Sequence, residues 1–130
     1  MKKILLVNLF FLALFNLIIN YSYAIEVSCP KKTTAQYRFI NFVGRLDGLG
    51  GDKEVKVWFE YGTDRNQLNK KTKELVLKEP KIFCLRERKV KPCQTYYYRA
   101  VAQNSAGINY GEIKEIKTLC SKLNNYFNLL

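Results

Sequence analysis

The chain has no histidine, so a serine or cysteine nucleophile would lack its usual general base. None of its 4 cysteines forms a C-x-x-C pair, and a zinc site would therefore lack its ordinary ligand spacing. The closest carboxylate pairs are Asp52 with Glu54 and Glu112 with Glu115. They fall in or beside turns or on a charged strand, without an apolar pocket that would raise a pKa. We therefore expect a non-enzymatic protein without a metal or cofactor.

The first 24 residues predict an export signal. Lys2 and Lys3 precede an apolar run from residue 4 to residue 19 that only two asparagines interrupt. Small residues near Ala24 then occupy the positions that a signal peptidase reads. An uncleaved anchor is the alternative, but a spanning helix needs about 20 apolar residues and this run is shorter. We expect cleavage after Ala24, a secreted, cell-surface or periplasmic location, and no membrane span in the mature form.

Residues 25–120 are predicted to form one small domain, followed by a short tail at 121–130. A domain of this size buries a modest core and often needs covalent cross-links. All four cysteines lie in this part, at Cys29, Cys84, Cys93 and Cys120. An even number of cysteines in an exported chain predicts disulfides. The tail is apolar-rich but too short to span a bilayer, and is either a docking segment or a ragged end.

Acidic residues are scarce: 11 Asp and Glu stand against 22 Lys and Arg, which gives a net charge of +11. Without Lys2 and Lys3 the net charge is about +9. Such a charge favours acidic partners, for example an anionic wall polymer, an acidic polysaccharide or a membrane surface. It can also serve solubility alone, and plentiful Lys, Asn and Ile are typical of AT-rich coding. We do not expect a nucleic-acid partner.

Alternating apolar and polar residues predict short strands separated by turns. Predicted strands cover residues 39–46, 54–61, 73–77, 81–85, 96–103 and 109–118. In the second of these, Val55, Val57, Phe59 and Tyr61 face one way, and Lys56, Trp58 and Glu60 face the other. Few stretches suit a long helix. The pattern therefore predicts an all-β, two-sheet sandwich.

The segment YYYRAVAQNSAG, residues 96–107, places three consecutive tyrosines on a strand whose side chains alternate between core and surface. The residues predicted to face the core are Tyr96, Tyr98, Ala100 and Ala102. Those predicted to face outward are Tyr97, Arg99, Val101 and Gln103. Tyr96 also follows Pro92 at the spacing of a tyrosine corner, in which the phenol bonds to the backbone of the preceding loop.

A longer pattern runs from Val90 to Thr118. It consists of Val90, Pro92, Thr95 and Tyr96, then alternating apolar residues, then Asn104 and Gly107. This pattern resembles the last third of a fibronectin type III-like domain, with Val90 in place of the family's leucine. VKVWFEYGTD, residues 55–64, is similar to the third strand of the variants found in bacterial surface proteins. The resemblance covers most of residues 35–118. It implies an immunoglobulin-like sandwich that serves as a cell-surface spacer or an adhesion-type module binding protein or glycan.

The resemblance also implies a cysteine pairing. In a fibronectin type III-like topology, the loop before the sixth strand and the end of the seventh lie at the same pole. Cys93 would therefore bond to Cys120. Cys29 and Cys84 would remain at the other pole and bond to each other.

A candidate binding face follows from the outward residues. Trp58 on the third strand should neighbour Tyr97 or Arg99 on the sixth, since those strands pair in this fold. Aromatic residues beside arginine are frequent in interface hot spots and also suit sugar rings. Alternatively, the Arg99 guanidinium lies over Trp58 and only stabilises an exposed sheet.

A candidate basic patch lies between Lys70 and Lys91, where nine Lys or Arg stand against three Glu. Lys70, Lys71 and Lys73 open this stretch. The patch would bind an anionic wall polymer or a membrane surface. Alternation along strands would instead scatter these charges over the face and the edge of a sheet.

Overall fold

Nine β-strands form the regular structure of residues 28–120, the part of the chain that the computed structural model describes. In chain order they are β1 (Thr34–Ala35), β2 (Ile40–Arg45), β3 (Val55–Gly62), β4 (Lys70–Lys71), β5 (Leu75–Leu77), β6 (Ile82–Glu87), β7 (Thr95–Asn104), β8 (Gly107–Tyr110) and β9 (Lys114–Lys117). The predicted leader at 1–24 and the tail at 121–130 lie outside the described residues. Within residues 28–120, no helix is long and apolar enough to cross a membrane.

The strands form two antiparallel sheets. The smaller sheet has the order β1-β2-β6. In the larger sheet β3 and β7 pair at the centre, β4 and β5 flank β3, and β8 and β9 flank β7. The prediction of an all-β, two-sheet sandwich is confirmed. The strand predicted at 73–77 is shorter, at Leu75–Leu77, and β4 was not predicted.

The predicted last strand, 109–118, is wrong as a single strand. It is divided into β8 and β9, and residues 111–113 leave the ladder between them. Tyr110 is opposite Val101 whereas Lys114 is opposite Tyr98, so this side of the ladder uses one residue more than β7 does. This extra residue is a β-bulge, which begins at a glycine, Gly111. Because of the bulge, Tyr110 and Ile116 lie on opposite faces of the sheet although both have even numbers.

The core lies between the sheets and is built around Phe42. The Phe42 ring centroid lies 5.2 Å from that of Phe59 and 5.0 Å from that of Tyr98. Phe42, Phe59, Tyr96 and Tyr98 are all buried, which confirms the inward positions predicted for Tyr96 and Tyr98. Gly44 on β2 makes room for this packing, because a Cβ there would lie 2.8 Å from Cζ of Phe83.

Two disulfides link Cys29 to Cys84 and Cys93 to Cys120, as the resemblance implied. At the pole of the second bridge, the backbone N–H of Lys91 donates to the Tyr96 hydroxyl at 2.8 Å, so the predicted tyrosine corner is present. The buried Thr118 closes the same pole. Its hydroxyl donates to the Lys91 carbonyl at 2.6 Å and accepts from the Gln94 N–H at 3.0 Å.

Candidate binding face

The candidate site is the face of the larger sheet that points away from the smaller sheet. We call it the outer face. Strand register arranges its side chains in rows that run across the sheet. The first row is Val76, Lys56, Gln103 and Ile108; the second is Trp58, Val101 and Tyr110; the third is Lys71, Glu60 and Arg99.

Trp58 lies on this face and its strand pairs with that of Arg99, as predicted, but Arg99 lies in the next row, Tyr97 lies farther away, and Trp58 is buried. It is opposite Val101, whereas Tyr97 is opposite Gly62 and Arg99 is opposite Glu60. Only 5% of Trp58 is exposed. The register of β3 and β7 is fixed by inward pairs such as Phe59 with Ala100, which residue alternation alone does not specify.

Val101 points outward as predicted, but the expectation that it lies at the surface is wrong, because only 1% of it is exposed. It lies in the outer row but between two aromatic side chains, Trp58 and Tyr110. Long charged side chains cover this row. Lys71 Nζ lies 5.0 Å from the centroid of the Trp58 ring. Lysine stems shield apolar surface while the ammonium stays in water. Trp58 and Val101 are therefore buried although no further sheet or helix packs on this face within residues 28–120.

Arg99 lies in the third row, where Glu60 and Tyr110 fix the position of its side chain. Its Nε and Nη2 both donate to Oε2 of Glu60, at 3.0 and 2.8 Å. Its Cζ lies 4.0 Å from the centroid of the Tyr110 ring. The predicted stacking of Arg99 on Trp58 is therefore wrong, because Tyr110 takes that position. The ion pair and the stacking together fix a guanidinium group beside a half-exposed phenol.

Three charged residues lie on the other flank of Trp58. Lys71 Nζ is 2.8 Å from one carboxylate oxygen of Glu74, and Lys56 Nζ is 3.9 Å from the other. The hydrogen bond from Lys71, reinforced by its charge, lowers the pKa of Glu74. Lys71 is thus already ion-paired where it covers Trp58.

The indole N–H of Trp58 is buried and has no hydrogen-bond partner in residues 28–120. An unsatisfied buried donor costs about 1–3 kcal/mol. A bound acceptor that reached the indole would recover part of this cost.

Three large hydrophobic side chains are exposed on the same face, while Ile82, the most exposed one in residues 28–120, lies on the smaller sheet. Tyr110 is 52% exposed, and Ile108 and Val76 are each 45% exposed. Ile108 and Tyr110 were missed as site residues, because the last strand was predicted to start at 109 and to run without a bulge. Two signals in the sequence could have identified them: the even-numbered alternation from 108 to 110, and Gly111, a common bulge position.

The residues of the predicted basic patch occupy different surfaces. Lys71 is on the outer face, and Lys70, its neighbour on β4, is opposite Tyr61 and so points to the other side. Lys73 lies beyond the strand and is exposed. Further along, Arg86 is on the smaller sheet, where its Nε donates to Oδ1 of Asn41 at 2.7 Å.

The carboxylate of Asp52 ties two turns together. It accepts from the backbone N–H and the hydroxyl of Ser105, each at 2.7 Å. These bonds, the backbone one foremost, lower the pKa of Asp52. Within residues 28–120 no three His, Cys, Asp or Glu side chains gather as a metal site.

No family model and no curated protein matches the chain. Among solved structures, it is similar to the solution structure of the sensor domain of the anti-sigma factor RsgI4 in Pseudobacteroides cellulosolvens. The identity is 14% and the TM-score 0.57, with 68% of this chain and 71% of that chain covered. A short form of the same sensor domain gives 14% identity and a TM-score of 0.56, covering 74% of this chain and 100% of that one. The likeness concerns the fold.

Proposed function

We propose that the chain is an exported, non-enzymatic binding module of the fibronectin type III-like kind. In this proposal it recognises a protein or glycan at the cell surface through the outer face. The strand orders β1-β2-β6 and β4/β5-β3-β7-β8/β9 support this type of sandwich. Two disulfides favour an oxidising, extracytoplasmic location. The similarity to sensor domains is compatible with a domain that binds a ligand outside the cell.

The observation that carries the proposal is the pairing of Arg99 with Tyr110. The guanidinium is fixed by Glu60 and stacked on the phenol before any partner arrives. Binding therefore costs less side-chain entropy there than at a free arginine. The exposed side chains of Ile108 and Tyr110 supply apolar area beside it. Arginine and tyrosine in this arrangement are typical of interface hot spots.

The roles within the predicted set of Trp58, Tyr97 and Arg99 are therefore unequal. Arg99 would contact the partner, together with Tyr110 and Ile108. Trp58 would not contact the partner directly, because it is buried under Lys71; it would pack beneath the side chains that do. Tyr97 lies one row beyond Arg99, opposite Gly62 and Glu115, and would lie at the margin of the contact.

The test uses the whole exported chain with matched variants. Tyr110→Ala and Arg99→Ala should each weaken binding to native cell-surface protein and glycan fractions about tenfold or more, the loss typical of a hot spot. Tyr37→Ala and Arg38→Ala are the controls, because Arg38 lies over the Tyr37 ring outside the larger sheet. Equal losses in both pairs, or none in either, would contradict an outer-face site.

Fluorescence gives an independent measurement. Trp58 is the only tryptophan in the chain, so its emission reports on the outer face alone. A partner that binds there should shift or quench this emission in the wild type. A partner that binds without changing it must occupy another surface.

A further inference from the structure

A groove opens on one side of the sandwich, between β2 and the bulge that joins β8 to β9. Its volume is about 490 Å³, and its lining includes Lys31, Lys32, Arg45, Lys114, Gly44 and Tyr98. A second cavity of about 130 Å³ shares the last four of these residues and extends the groove along Gly111. The groove is separate from the outer face.

Two features of the fold create this groove. β1 is only two residues long and pairs with β2 at Ile40 and Asn41, so within residues 28–120 no strand pairs with residues 43–45 on the side of β2 that is opposite β6. Gly44 lacks a side chain there, so the largely buried Tyr98 forms part of the floor. The bulge sets Lys114 opposite Tyr98, on the side of the larger sheet that faces β2.

The groove carries uncompensated positive charge. Within residues 28–120, Lys31, Lys32 and Lys114 have no carboxylate oxygen within the 4.0 Å of an ion pair, in contrast to Lys71 on the outer face. Arg45 pairs with Asp47 at 2.7 Å. The carboxylate of Glu112 lines the smaller cavity and not the larger one. Three free ammonium groups therefore surround one concave site.

Two backbone N–H groups of the groove are already bonded. The Val43 N–H donates to Oγ1 of Thr33 at 3.0 Å, and the Gly111 N–H donates to the Ala100 carbonyl at 2.8 Å. A peptide that added a strand would need such groups free. The groove instead offers the ammonium groups of its lysines and one exposed apolar side chain, that of Ile82.

We propose that this groove binds a linear glycan that carries carboxylate groups. The carboxylates would pair with Lys31, Lys32 and Lys114, and a sugar ring would lie over Gly44 against Ile82, which lines the groove and is 56% exposed. The concave shape brings several ion pairs within reach of one short stretch of polymer, which a flat surface does not.

The test measures binding of the whole disulfide-bonded chain to polygalacturonate and to its methyl ester, which has the same backbone without charge. We expect binding to polygalacturonate that weakens with added salt, and weak binding to the ester. The variant Lys31→Gln/Lys32→Gln/Lys114→Gln should lose about tenfold or more in affinity, since three exposed ion pairs are removed at once. The control Lys70→Gln/Lys73→Gln/Lys78→Gln removes the same charge elsewhere and should change affinity less than about twofold.

Several results would overturn the proposal. Equal losses in the two triple variants would mean that net charge alone attracts the polymer. Equal binding of the methyl ester would mean that the carboxylates are not recognised. Equal binding of poly-glutamate would point to a peptide or to any polyanion. A melting curve of each variant confirms folding, and Lys114→Gln alone should still weaken binding if a triple variant unfolds.

The groove and the outer face can be distinguished in one experiment. Polygalacturonate in the groove should leave the emission of Trp58 unchanged, and Tyr110→Ala should bind it as the wild type does. Loss of its binding in Tyr110→Ala would place the polymer on the outer face and overturn the groove. If the wild type does not bind polygalacturonate but still binds a partner through the outer face, the groove proposal is refuted and the proposed function is not.

Discussion

The hydroxyl of Tyr96 makes one hydrogen bond, to the Lys91 N–H, in an otherwise apolar position. We expect Tyr96→Phe to lower the free energy of unfolding by about 1 kcal/mol, the net value of such a bond. Tyr96→Ala should cost about 3–5 kcal/mol, because a buried ring is lost. Urea denaturation of both variants measures these values.

Tyr97 is the control for that prediction, since it is the next residue on the same strand and points to the outer face. Tyr97→Ala should cost at most about 1 kcal/mol, because it removes only cross-strand contacts. If Tyr97→Ala unfolded the protein and Tyr96→Ala did not, the inward and outward assignments on β7 would have to be exchanged.

Asp52 provides a test of pH dependence. Its pKa is lowered in the folded chain, so its bonds to Ser105 contribute stability above the unfolded pKa, which is about 3.9. That contribution should be lost as the pH falls below about 4. Asp52→Asn should reduce the fall in melting temperature between pH 5 and pH 3, while Glu54→Gln, an exposed neighbour, should not. Parallel acid profiles for Asp52→Asn and the wild type would contradict this assignment.

Among the elements, the β-bulge at residues 111–113 has the largest effect on the surface. It lets Tyr110 face outward while Ile116, opposite Tyr96, packs against the core. Deletion of Glu112 should remove the extra residue but keep Ile116 opposite Tyr96, because the three steps that remain from Tyr110 to Lys114 match the three from Val101 to Tyr98. Insertion of one alanine after Lys114 should instead turn Ile116 away from the core and cost about 1.5–3 kcal/mol of stability, the value of burying one such side chain. Urea denaturation measures both variants, and a larger loss on deletion than on insertion would contradict this register.

The elements also show why prediction from the sequence reached some features and missed others. Alternation on β3 and β7 identified the inward positions of Phe59 and Tyr98, because the side-chain period of a strand is independent of its partner. It could not identify Val101 as buried, because that burial depends on which residues lie across the strand pair. Lys71 as the cover of Trp58 was missed for the same reason: β4 contributes only two residues to the ladder.

At the scale of the whole molecule, the two disulfides close loops with sequence separations of 55 and 27 residues. Loss of the second bridge in Cys93→Ser/Cys120→Ser should cost about 3–4 kcal/mol by the loop-entropy model. A lower midpoint of thermal unfolding measures it. Peptide mapping without reduction should recover Cys29 with Cys84 and Cys93 with Cys120, and a peptide joining Cys84 to Cys93 would contradict the pairing.

The two bridges also determine how the domain would respond to tension. A force applied at Cys29 and Cys120 passes through each disulfide and bypasses both loops, so only the stretch from Cys84 to Cys93 can lengthen. That stretch extends to about 30 Å, whereas the reduced chain between the same points would reach about 300 Å. The oxidised domain would therefore transmit a pull almost without yielding, and optical tweezers with handles at these two ends should record a tenfold longer release after reduction.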